Sequence, residues 1–122
     1  EAGKQIDVPV YLQDIMPTTL ELAGVEKPEQ VQFNSLMPLL QGKKEKHYDA
    51  IYGAYMDKQR MLRVENHKLI YYPTIDKYEL YELDKDPLEQ HNLAGDEKHR
   101  LLLNAMKARL REVQKEMGDP LR

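Results

Sequence analysis

Between Arg100 and Met117 the apolar residues Leu102, Leu103, Met106, Leu110, Val113 and Met117 recur at steps of three or four, while Arg100, Lys107, Arg111 and Lys115 take other faces. That spacing draws one stripe along an α-helix. It predicts a helix capped by Asp96, running to about Met117 and closed by Gly118 and Pro120. One stripe needs one cover. Upstream the period changes: short segments rich in β-branched and aromatic residues, holding seven of the eight tyrosines between Tyr48 and Tyr81, predict strands at about 50–56, 60–64, 68–72 and 78–83. Asp57-Lys58, Glu65-Asn66-His67 and Pro73–Lys77 are short enough to join antiparallel neighbours, so the simplest topology is a meander. Asp84-Lys85-Asp86-Pro87 then turns the chain toward the last helix.

The first third reads differently. Val8-Pro9-Val10-Tyr11-Leu12 suits an edge strand or an extended lead-in because it is β-branched but carries a proline. Asp14 is placed to cap a helix over Ile15–Ala23, in which Pro17 falls early enough to cost no helical hydrogen bond, and Gly24 is a fitting terminator. Glu26–Asn34 is polar loop, and Ser35–Leu40 a short apolar turn or helix closed by Gly42. The charged link Lys43-Lys44-Glu45-Lys46 marks a change of composition, which divides the chain into 1–46 and 47–122. The fold class expected is α+β: a small antiparallel sheet of about four strands packed against a long C-terminal helix, preceded by a helical segment.

Composition narrows the partners. With 122 residues, 41% hydrophobic and 32% charged, the chain has material for one compact core. A net charge of −3 gives no general attraction to nucleic acid or anionic lipid, so neither is expected as a partner. The apolar runs Leu36–Leu40 and Leu101–Leu103 are far short of the roughly 20 residues of a membrane span. Glu1-Ala2-Gly3-Lys4 has no signal-peptide pattern, so an export signal would have been removed or lie upstream. Without cysteine there is no disulfide, thiolate metal site or thiol nucleophile.

Candidate chemistry is sparse. His47, His67, His91 and His99 form no H-x-x-x-H or H-x-H pair, and Ser35, the lone serine, has no glycine elbow. Asp84, Asp86 and Glu89 fall within six residues, but Pro87 and Leu88 break the alternation of a calcium loop, leaving a turn as the simpler reading. Tyr55, Arg60, Arg63 and His67 are the candidate substrate-binding residues, because aromatic faces stack on sugar rings and guanidinium forks grip oxyanions. The competing reading is a half-buried tyrosine sheet with solvated arginines. The basic residues of the last helix read more simply as its solvated face.

Four stretches, in order, resemble the C-terminal third of the sulfatases, the alkaline-phosphatase-like hydrolases of sulfate esters. Asp14-Ile15-Met16-Pro17-Thr18-Thr19-Leu20-Glu21-Leu22-Ala23-Gly24 is similar to the family's Asp-x-x-Pro-Thr-x-Leu-x-x-Ala-Gly helix, and Ser35–Gly42 to its Ser-Leu-x-Pro-Leu-Leu-x-Gly element, with Phe33 where a glycine is frequent. Arg60-Met61-Leu62-Arg63 with Lys68-Leu69-Ile70-Tyr71 resembles its paired strands. Leu80-Tyr81-Glu82-Leu83-Asp84-Lys85-Asp86-Pro87-Leu88-Glu89-Gln90-His91-Asn92-Leu93 resembles its Leu-Tyr-Asp-Leu-x-x-Asp-Pro-x-Glu-x-x-Asn-Leu signature, with Glu82 for the first aspartate.

The resemblance implies that residues 1–46 are the tail of a large α/β catalytic domain and 47–122 the C-terminal subdomain. It implies a parent that hydrolyses a sulfate ester, on a sulfated carbohydrate, with formylglycine and calcium; this chain holds no cofactor and no match to Cys/Ser-x-Pro-x-Arg, so alone it is expected to be inactive. The missing N-terminal catalytic domain is then a partner. The Gln13–Thr18 wording resembles exported enzymes of glycan-degrading bacteria, which implies a periplasmic or secreted parent. Without its sheet, the segment 1–46 is expected to be disordered, packed in a non-parental way, or buried by self-association of the fragment. The alternative is a free-standing glycan- or protein-binding module of the same fold; a related phosphodiesterase or phosphoglycerate-mutase-like parent fits the signature less well.

Overall fold

The computed structural model describes residues 3–121. The chain forms two compact units, Glu1–Asp49 and Ala50–Arg122. His47, Tyr48 and Asp49 thus go with the first unit rather than the second, because the Tyr48 hydroxyl and the His47 ring turn toward Asp14.

In the second unit, β1 (Ile51–Tyr55), β2 (Gln59–Val64), β3 (His67–Tyr72) and β4 (Lys77–Glu82) form a four-stranded antiparallel meander in sequence order. Helix α3, Arg100–Glu116, is its long C-terminal helix. The register sets Tyr52, Leu62, Leu69 and Leu80 side by side on one face. The three leucines have no exposed surface, and Met106, Leu110 and Val113 of α3 complete the core. Fully burying each leucine contributes about 1.5–3 kcal/mol. A one-residue slip in any strand would turn its leucine out of that core, so the pattern also fixes the register.

The loop after β4 has a structural task. Both Asp86 carboxylate oxygens accept backbone N–H groups, from Gln90 at 3.0 Å and His91 at 2.8 Å, which shapes the turn. The Asn92 side chain accepts the Leu80 N–H at 3.0 Å, so the open edge of β4 has a partner for that donor. Leu93 and Ala94 then pack against the core. Asp96 caps a short 3-10 turn over Glu97–His99, accepting the Lys98 N–H at 3.0 Å, rather than α3 itself, whose N-cap is His99. The helix closes at Gly118, whose φ of +66° is the left-handed conformation that glycine adopts without strain.

In the first unit, α1 (Ile15–Leu22) continues a 3-10 turn at Leu12–Asp14, and α2 is the short Met37–Leu40. Residues 8–12 form no strand; the polar loop and the Ser35–Leu40 turn are as read. Asp14 departs from the expected cap. Its side chain makes no forward cap bond and instead accepts the Tyr11 N–H at 2.8 Å, behind it. The helix leaves Leu12, Ile15, Met16 and Leu22 at least half exposed.

Candidate functional site

The sheet's alternation separates the four candidate residues. Tyr55 and Arg63 lie on the face opposite α3, whereas Arg60 and His67 share the face of Leu62 and Leu69. Within the shared faces they are still apart: Tyr55 sits opposite Gln59, four residues along β2 from Arg63, which is about 14 Å at strand rise. The four therefore form no single cluster.

Arg60 is 3% exposed, and all three nitrogens of its guanidinium donate hydrogen bonds. It forks onto Asp119, with Nε donating to Oδ2 and Nη2 to Oδ1 at 3.0 Å. Nη1 donates to the carbonyls of Met56 at 2.7 Å and Gln59 at 2.8 Å, both ends of the β1–β2 hairpin turn. The Tyr52 hydroxyl also donates to Asp119, whose Oδ1 accepts the Leu121 N–H at 2.9 Å. The Arg60 guanidinium holds the Asp119 carboxyl well below the usual carboxylate range, while burial, and then Asp119, push the Tyr52 phenol up. Arg60 thus ties the hairpin tip to the chain beyond α3. That tip is exposed: Tyr55 is 61% and Met56 74% accessible, and Met56 takes a left-handed φ of +46°.

On the opposite face, Glu79 gathers Lys77 at 2.7 Å and the hydroxyls of Tyr72 and Tyr81 at 3.0 and 3.1 Å. Burial, then Glu79, push Tyr81 up to about 12. Arg63 donates from Nε to the Glu65 carbonyl at 3.1 Å and is otherwise available on that face. Lys68, beside it, is held by Glu89 at 2.7 Å.

The first unit has a hub of its own. The wholly buried Asp14 carboxylate accepts from Tyr11 N–H, from Asn34 N–H at 3.3 Å and from the Tyr48 hydroxyl at 2.5 Å, with His47 Nε2 3.5 Å away. Thr18 extends it, donating to the Asp14 carbonyl at 2.6 Å and accepting the Leu36 N–H at 2.8 Å. Burial, then the bond to Asp14, push Tyr48 up to about 12. Neither this hub nor Asp119 was found from sequence; a buried aspartate and a capping one look alike there, and Arg60 and Asp119 are 59 residues apart.

Among the described residues no three His, Asp or Glu side chains converge, and the candidate trio is dispersed: Asp84 takes the Asn66 amide, Asp86 caps its turn, and Glu89 pairs with Lys68. The Ser35 hydroxyl accepts the Met37 N–H at 3.2 Å, which is a turn contact. Among the described residues no helix is long and apolar enough to cross a membrane.

A small antiparallel meander covered by one long helix is the architecture of a sulfatase C-terminal region. The chain belongs to the family described as "N-sulphoglucosamine sulphohydrolase, C-terminal", which matches residues 1–116. It is 27% identical to an ulvan-active sulfatase of Formosa agariphila, over 92% of this chain and 30% of that one. It is 30% identical to an N-acetylglucosamine-6-O-sulfatase of Bacteroides thetaiotaomicron, over 87% of this chain and 21% of that one. A protein solved with its substrate D-glucosamine-2-N,6-O-disulfate superposes with a TM-score of 0.74 at 31% identity, over 88% of this chain and 24% of that one. The chain thus spans less than a third of each of these three. Membership of this family implies a parent that depends on formylglycine and uses a metal.

Proposed function

We propose that the chain is the C-terminal part of a hydrolase that releases sulfate from a sulfated carbohydrate, and that its own work is to support that enzyme's fold and substrate cleft. The observation that carries this reading is the family match across residues 1–116, whose most specific motif proves structural here: Asp86 caps, Asn92 covers an edge, and Leu93 packs. Relatives that act on sulfated sugars favour the carbohydrate class. In the parent, formylglycine would supply the nucleophile and calcium would neutralise the sulfate oxygens. Among the described residues no three His, Asp or Glu side chains are placed to hold such a metal. The half-exposed apolar residues of α1 suit packing against the catalytic part of such an enzyme.

In this reading the β1–β2 tip and Arg63 border the substrate. Tyr55 offers a ring to a sugar and Arg63 a charge to an oxyanion, while Arg60 holds the tip in place rather than meeting the ligand. His67 is kept as a candidate contact from the other face. The parent is periplasmic or secreted.

Sulfate release by the full-length, formylglycine-bearing parent, followed by ion chromatography over sulfated glucosamines and hexuronates, tests the activity. Release from at least one is expected, and none from any would overturn the reading. An Arg63→Ala parent with unchanged kcat/KM on the true substrate would remove Arg63 from the site, and cell fractionation checks the location.

A further inference from the structure

Helix α3 carries five basic and two acidic side chains in a chain whose net charge is −3. The charges are sorted by flank. Arg109 reaches Glu112 at 3.0 Å and Glu116 at 3.2 Å, so both acids of the helix share its side. At helical periodicity Arg100, Lys107, Arg111 and Lys115 fall on the other flank, within an arc of roughly 80°. Among the described residues Arg100 pairs with the exposed Glu97 alone, at 3.1 Å, a contact too solvated to hold it firmly. Among the described residues no carboxylate lies within ion-pair distance of Lys107, Arg111 or Lys115.

Spacing says what such a row could meet. Lys107, Arg111 and Lys115 succeed one another at about 6 Å along the axis, and the row from Arg100 extends for about 22 Å. A single small anion would engage one of these cations; a linear polyanion laid along the axis engages all of them. An aromatic floor lies at its middle. The Lys107 ammonium stands 3.9 Å over the Tyr78 ring, which stacks on Tyr71 with centroids 4.4 Å apart. Lys107 is thereby held in place, and Arg111 and Lys115 stay exposed beside it. Asp76, at the β3–β4 turn, is the acid that acts on the same Tyr78 ring. A nucleic-acid duplex is also a linear polyanion and is the competing occupant of such a row.

We propose that the Arg100, Lys107, Arg111 and Lys115 flank of α3 is a binding surface for a linear sulfated polysaccharide, its sulfates accepting from successive side chains. The proposal rests on the reading of the parent as a hydrolase of sulfated carbohydrate and extends it to a polymer. Arginine forks suit sulfate oxygens, and the row is indifferent to which sugar carries them.

The test is a titration of the 122-residue chain with a heparin-derived octasaccharide, its chemically desulfated counterpart and a DNA duplex of similar length, at several salt concentrations. The sulfated octasaccharide should bind and the desulfated one should not. Arg111→Ala with Lys115→Ala should weaken binding by about tenfold and lower the salt slope by roughly two, as expected for two lost counterion-releasing contacts. Arg109→Ala, on the other flank, should leave both within about twofold. Far-ultraviolet circular dichroism of each variant separates lost binding from lost helix. Equal binding of the desulfated sugar or of DNA, an unchanged double variant, or an equal loss in Arg109→Ala would overturn the proposal. The titration involves no hydrolysis, so a failed sulfatase reading appears in the sulfate-release panel and a failed surface here.

Discussion

In the unit Ala50–Arg122, three leucines of neighbouring strands reach zero exposure and α3 adds three buried apolar side chains. In Glu1–Asp49 Leu39 is the one buried hydrophobic among the described residues, and the most shielded group is the Asp14 carboxylate. One unit is ordered by filled volume, with a buried ionic clasp at its end. The other is ordered by directional bonds converging on one side chain, with apolar surface left outside. Volume is shared among many neighbours and fails cooperatively, whereas a hub fails locally when its centre is removed.

The largest effect should come from removing one partner of the clasp. Asp119→Ala leaves Arg60 charged and 3% exposed without its carboxylate, which costs about 3–5 kcal/mol in chemical unfolding. The pH dependence has a defined sign. Because Asp119 has a depressed folded pKa, its contribution is complete above the unfolded value near 4, and is lost as pH falls from there through the folded value. The wild-type advantage should therefore be constant from pH 7 to 5; an advantage that faded in that window would break the assignment.

Next is the core itself. Leu69→Ala should cost about 2–5 kcal/mol, whereas Leu22→Ala, at a position 68% exposed, should stay within about 0.5 kcal/mol. Similar losses at both would erase the contrast between the units.

Asp14→Ala should follow at about 1–3 kcal/mol, since Tyr11 N–H, Asn34 N–H and the Tyr48 hydroxyl lose their shared acceptor. Hydrogen exchange should rise over residues 11–48 and remain unchanged over β2 and β3. The Tyr48 phenol, raised to about 12, contributes fully below pH about 10, and that contribution is lost as pH climbs through 12. In Asp14→Ala its titration by tyrosine NMR should move down. Increased exchange spread equally over both units would show that the hub is not local.

How much of this was legible follows from what each signal measures. Strand positions came through because the turns at Asp57-Lys58 and Glu65-Asn66 are too short to permit other pairings, and Gly24 and Gly118 take the positive φ that their places after helices required. Of the two readings of Val8–Leu12, the unpaired lead-in holds and the edge strand does not, because β-branched composition does not supply a pairing neighbour. Arg60 was half legible. Its spacing from Leu62 and Val64 puts it on the core face by alternation alone, but nothing local points to a carboxylate beyond the far end of α3. Composition grouped Tyr55, Arg60, Arg63 and His67 as one surface; the period of two divides them between faces.

The smallest effect sharpens the comparison within the second unit, where order by volume tolerates local strain. Glu65 takes a φ of +51° in the two-residue turn between β2 and β3, and Asp76 takes +45° after the turn at Pro73–Ile75. A left-handed conformation costs an ordinary side chain about 1–2 kcal/mol, while aspartate tolerates it better. Glycine removes that cost but adds about 0.5–1 kcal/mol of unfolded-state entropy. Glu65→Gly should therefore stabilise by about 0.5 kcal/mol, or about 2–4 °C in Tm for a domain of this size. Its carbonyl, which accepts from Arg63, is kept in the variant. Asp76→Gly should gain less or nothing, because aspartate already lowers the strain that glycine would relieve. If both variants gain equally, side-chain identity does not set the strain at these turns; if Glu65→Gly loses stability, contacts of the glutamate side chain outweigh its backbone cost.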